Sequence, residues 1–65
     1  MIERQERTKK QLVTAAIDLF DEVGFQKTRI SDIVAKAGVA QGTFYLYYKS
    51  KEEIFLDICT EFITL

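Results

Sequence analysis

The segment Gly38-Val39-Ala40-Gln41-Gly42-Thr43-Phe44-Tyr45-Leu46-Tyr47-Tyr48-Lys49-Ser50-Lys51-Glu52-Glu53-Ile54-Phe55 settles the architecture. Its centre, Thr43 to Tyr48, is dense in residues that favour strands. No second strand is available to pair with it, so the strand reading fails. As a helix from Gln41 to Tyr47, it places Phe44 and Tyr48, four residues apart, on one face. Gln41, Gly42, Tyr45 and the edge of Tyr47 then lie elsewhere. Ser50-Lys51-Glu52-Glu53 has the pattern of a capping box: the Ser hydroxyl accepts the N3 amide and the Glu reaches back. A fourth helix therefore opens at Ser50. Ile54, Phe55, Ile58, Cys59, Phe62 and Ile63 form its wide apolar stripe, with Cys59 read as a small core hydrophobe.

Upstream of Gly38, Ile30, Ile33, Val34 and Ala37 make the inner face of a short helix from Arg29 to Ala37. Thr28 suits its N-cap, and Gly38 suits the left-handed residue that ends it. A helix this short needs packing to persist in water. The first helix is expected from Thr8 to Val23. Leu12, Ala16, Leu19, Phe20 and Val23 recur at a helical period, with Val13 and Ile17 widening the stripe. Gly24 falls where its C-terminal cap is wanted. The fold class is thus all-α: a three-helix, homeodomain-like helix-turn-helix head over residues 1–50, and the start of a fourth helix over 51–65.

Composition excludes most chemistry. The chain has 65 residues, no His, Trp or Pro, and one Cys. No Ser-His or Cys-His pair can form, and Cys59 alone cannot hold zinc. No cofactor or metal is expected, and the chain reads as a binding domain and not an enzyme. The apolar fraction of 48% is that of an ordered globular chain. No apolar run approaches the ~20 residues that span a bilayer. No secretory signal opens the chain, which gives a cytoplasmic expectation.

The net charge of −1 conceals a gradient. All nine Lys and Arg fall within residues 1–51, which carry +3, whereas residues 52–65 carry −4. A basic face with an acidic far end is one consequence; scattered solvated charge is the other.

A short helix, a glycine-containing turn and a second short helix, packed on a longer first helix, make a helix-turn-helix whose second member enters the DNA major groove. Gln41 and Thr43 can bond base edges. Gly42 either lets the backbone approach DNA or permits tight helix packing. The hydroxyls of Tyr45 and Tyr47 can donate to phosphates. Lys51 at the start of helix four, and Thr28 at the start of helix two, would flank the reading helix as two phosphate clamps.

The segment from Gly38 to Phe55 resembles the recognition region of the TetR family of bacterial transcriptional regulators. Ala15-Ala16-x-x-Leu19-Phe20 with Gly24-Phe25 resembles the family's first helix, and Thr28 to Gly38 its second. The resemblance spans roughly residues 10 to 62. It implies a DNA-binding head that continues through helix four into a ligand-binding and dimerisation domain beyond residue 65. By that resemblance Thr28 and Lys51 contact phosphates, and Gln41, Gly42 and Thr43 face bases. Tyr45 and Tyr47 meet the backbone, and Arg29 is a further candidate. Two residues depart from the pattern: Ala40 stands where Ser is common, and Tyr48 where Phe is usual. The implied function is sequence-specific binding of double-stranded DNA by the head of a ligand-responsive regulator, a repressor. It would act as a homodimer on a pseudo-palindromic operator, with a small-molecule inducer bound in the further domain. The alternative is a helical protein-interaction or assembly module that binds no DNA.

Overall fold

The computed structural model describes residues 2–62, and side chains from 6 to 61. Four helices follow one another: α1 (Ile2–Val23), α2 (Ile30–Ala37), α3 (Gln41–Tyr47) and α4 (Lys51–Phe62). α1 begins six residues earlier than its apolar period indicates. Glu3 to Arg7 are strong helix formers with no breaker among them, so propensity extends the helix past its buried stripe.

The core is a single cluster. Leu12, Val13, Ala15 and Ala16 of α1 meet Ile33 and Val34 of α2, Phe44 of α3, Tyr48, and Ile54 and Ile58 of α4. Phe44, Leu12, Ile33 and Ile54 are wholly buried. Two residues assigned to the α1 stripe lie outside it: Ile17 and Val23 are largely exposed. A stripe seven residues wide exceeds what one short partner helix covers. On α4, Phe55 is 40% exposed and Cys59 is half-buried. The side chains of Phe62 and Ile63 lie outside the described residues. Phe55 instead closes a cluster with Phe20 and Phe25, with ring centroids 5.2 to 5.8 Å apart.

The helix ends follow from local chemistry. Gly38 adopts φ 77°, and its N–H bonds the carbonyls of Ala35 and Val34. The Val39 N–H returns to Val34 at 3.0 Å. This is the Schellman arrangement, which satisfies the last carbonyls of α2 and turns the chain into α3. α2 starts differently from expectation. Its N-cap is Arg29, whose N–H donates to the Asp32 carboxylate at 3.2 Å. Thr28 is not the cap. Its side chain is buried, and its hydroxyl donates to the Gly24 carbonyl at 2.7 Å. At α4 the Glu53 N–H donates to Ser50 Oγ at 3.2 Å, as the capping box requires. Glu53 reaches back one residue further than expected, accepting from the Lys49 N–H at 3.1 Å.

Candidate nucleic-acid interface

α3 sorts its residues into rows four apart. Phe44 and Tyr48 point inward and are buried. Thr43 and Tyr47 flank them, half-buried. Gln41, Gly42, Tyr45 and Leu46 form the outer face, all exposed. Of the residues singled out on this helix, Gln41, Gly42 and Tyr45 thus share one accessible surface, with Thr43 and Tyr47 at its margin. Ala40 caps α3 with its carbonyl alone, which accepts the Thr43 N–H at 3.0 Å.

A Cβ built on Gly42 meets nothing within 4 Å, and its φ is not positive. Tight helix packing is therefore not the reason for glycine here. Leu46, 81% exposed, stands one turn beyond Gly42 on the same row. Sequence reasoning passed over it because an apolar residue among aromatics reads as core. The four-residue step from Gly42 was the signal that could have found it.

The other two elements of the interface are helix N-termini. The starts of α2 and α4 come together around a cleft of about 360 Å³, lined by Gln26, Thr28, Arg29, Ile30, Lys49, Ser50, Lys51 and Glu52. In each first turn the third amide is taken, the Asp32 N–H by the Arg29 carbonyl and the Glu53 N–H by Ser50, which leaves the two before it without an intrahelical carbonyl, and the helix dipoles put positive potential there. Arg29 and Lys49 add exposed cations, against Glu52. Lys49 is a second residue that sequence reasoning missed.

Thr28 and Lys51 both border this cleft, but neither presents its side chain as expected. The Thr28 hydroxyl is turned inward, and its N–H bonds the Phe25 carbonyl at 3.2 Å. Neither group is free for a phosphate. The Lys51 ammonium donates to the carbonyls of Phe25 at 2.6 Å, Gln26 at 3.2 Å and Thr28 at 2.9 Å. An ammonium has three N–H donors, so all are engaged. It also sits 4.4 Å from the Phe25 ring centroid. Lys51 is a clamp on the turn between α1 and α2. Thr28 and Lys51 are thus joined in one structural lock, and Arg29 and Lys49 are the exposed cations beside it.

At the far end of α3, the Tyr48 hydroxyl donates to Asp57 Oδ2 at 2.6 Å. Lys9 Nζ lies 3.5 Å from the same oxygen. Burial, followed by the bond to Asp57, pushes the Tyr48 phenol above its ordinary pKa. The Tyr48 hydrogen bond, aided by Lys9 against the opposing effect of burial, holds the Asp57 carboxyl below the usual carboxylate value. The hydroxyl by which Tyr48 departs from the family pattern is thus bonded to α4.

Among the described residues, no group of His, Cys, Asp and Glu could hold a metal ion. No helix among them is long and apolar enough to cross a membrane.

Residues 12–58 match the family described as bacterial regulatory proteins, tetR family. The chain is 46% identical over 55 residues to the uncharacterized HTH-type transcriptional regulator YdgC of Bacillus subtilis, covering 85% of this chain and 28% of that protein. It is 47% identical over 55 residues to the regulator YvdT of the same organism, with the same coverage. It is 41% identical over 59 residues to the fatty acid metabolism regulator protein of Bacillus subtilis, covering 89% of this chain and 30% of that protein. The chain therefore spans less than a third of the length of these relatives. No solved structure gives a significant match. With its helical fold, its exposed α3 face and a family match over most of its length, the chain belongs to the tetR family of DNA-binding transcriptional regulators.

Proposed function

We propose that this domain binds double-stranded DNA sequence-specifically by seating α3 in the major groove. The observation that carries this reading is the exposed row Gln41, Gly42, Tyr45 and Leu46, held outward by the buried Phe44 beside the cationic cleft. Gln41 and Thr43 supply base-edge hydrogen bonds. Leu46 is suited to a thymine methyl group. Tyr45 and Tyr47 donate to the backbone. Arg29, Lys49 and the first-turn amides of α2 and α4 receive a phosphate. Lys51 and Thr28 hold the cleft in shape.

The intact regulator acts as a homodimer on a pseudo-palindromic operator, with heads about one helical turn apart. A small molecule bound outside this domain shifts the population between DNA-competent and incompetent states, and the sign of regulation is repression. Selection from a random duplex pool tests the reading. Enrichment of an inverted repeat is expected, and a folded dimer that enriches nothing would overturn it.

A second reading has one observation in its favour. Leu46 and Leu56, 81% and 63% exposed, line one open groove, as an interaction module would require. It predicts no steep salt dependence, whereas phosphate neutralisation makes log affinity fall linearly with log salt.

A further inference from the structure

α3 is seven residues long. A helix of less than two turns has no stability of its own, so its orientation is whatever its anchors impose. Two side chains anchor it most deeply, with Tyr47 packed against the same core. Phe44 is wholly buried, and Tyr48, just past the last helical residue, is 5% exposed. Their rings lie 5.8 Å apart, and the Tyr48 N–H bonds the Phe44 carbonyl at 2.9 Å. Ring packing around Phe44 fixes where the helix sits. The attraction that holds a cluster of apolar contacts is non-directional, so a hydrogen bond sets orientation more sharply than it does.

The directional contact is the Tyr48 hydroxyl, bonded to Asp57 Oδ2 of α4 at 2.6 Å. Lys9 of α1, 3.5 Å away, steadies the same oxygen. Two helices and the C-cap of α3 thus converge on one carboxylate. A phenylalanine at this position would fill the same space without that bond. We propose that the Tyr48 hydroxyl is a positioning group that fixes the orientation of α3 against α4, and with it the ability of the outer face to discriminate bases.

This rests on the DNA-reading function proposed above and adds a division within it. Base-edge hydrogen bonds need donors held within ~0.5 Å and 10–20° of the productive geometry. Phosphate contacts at the α2–α4 cleft lie at the start of α4, before the turn that carries Asp57, and tolerate small rotations of α3. Loss of the tie therefore lowers discrimination more than total affinity.

The experiment uses the intact protein and two duplexes: the one wild type enriches from a random pool, and a scrambled duplex of equal length and composition. Binding is measured across a salt series, below the melting temperature of every variant. Tyr48→Phe is expected to lower the ratio of the two affinities about five- to tenfold, the scale of the net contribution of one ordinary hydrogen bond. Affinity for the scrambled duplex and the salt slope stay unchanged. Asp57→Ala matches it, and the double variant is no worse than either single one, the non-additivity of residues in one bond. Asp57→Asn, which keeps an acceptor oxygen, retains most of the ratio. An unchanged ratio in Tyr48→Phe overturns the proposal. So does a parallel fall for both duplexes, which marks general loosening, or a drop of about one in the salt slope, which marks a direct phosphate contact. If wild type enriches no duplex, the DNA-reading function itself fails, and no ratio exists to compare.

Discussion

Lys51 Nζ donates to the carbonyl of Thr28 at 2.9 Å, so two residues separated by 23 positions share one hydrogen bond at the mouth of one cleft. Two residues read from the sequence as phosphate contacts brace each other. The first turn of α4 holds the turn between α1 and α2, and that turn presents Arg29.

Lys51→Met tests the brace. Methionine keeps an apolar stem against Phe25 and removes the ammonium, leaving three carbonyls without their donor. Destabilisation of about 1–3 kcal/mol is expected in thermal unfolding. Arg29→Ala is expected to do the reverse: little change in melting, and a salt slope of DNA binding reduced by roughly one. Lys51→Met that melts like wild type would return Lys51 to the role of a free surface cation.

Gln41→Ala is expected to relax preference at one base-pair position by about 1–3 kcal/mol while leaving the salt slope intact. Competition with singly substituted duplexes reads this directly. A uniform loss across all sequences would make Gln41 a backbone contact.

Gly38 and Gly42 respond oppositely to alanine. At Gly38, φ 77° makes a Cβ strained, so Gly38→Ala costs about 1–2 kcal/mol. At Gly42 the Cβ meets nothing, so Gly42→Ala leaves stability unchanged or raises it by up to about 1 kcal/mol. DNA affinity falls in Gly42→Ala if the backbone of α3 approaches the groove closely. Paired melting and binding curves separate the two effects.

The Tyr48–Asp57 pair predicts losses at both pH extremes. Asp57 has a depressed pKa in the folded chain. Its contribution is complete above the ordinary carboxylate value near ~3.9 and disappears as pH falls through the lower folded value. Tyr48 has a raised pKa. Its contribution is complete below the ordinary phenol value near ~10 and disappears as pH rises from there toward the folded value. Melting temperature against pH should show both arms in wild type and a weakened alkaline arm in Tyr48→Phe.

The helices and most of the core were legible because helical periods and glycine caps report local physics. Leu12, Ile33, Phe44 and Ile54 stand on their stripes, and Gly24 and Gly38 end α1 and α2 with positive φ. What could not be read depends on distance in space. Thr28 has the composition of an N-cap, yet the carbonyl of Gly24 takes its hydroxyl, and Arg29 holds the N-cap position with its N–H on Asp32. The engagement of Lys51 with the α1–α2 turn, and of Tyr48 with Asp57, joins residues that no local pattern links. Leu46 was hidden by composition, since its exposure is visible only once the register of α3 is fixed.

Of the seven residues in α3, only Phe44 is fully buried. The helix is fastened along one side and lettered on the other. Changes at Gln41, Gly42, Tyr45 and Leu46 scarcely touch the energy that keeps the domain folded. A descendant of this chain can therefore acquire a new target sequence by single substitutions, without first finding compensating changes in its interior.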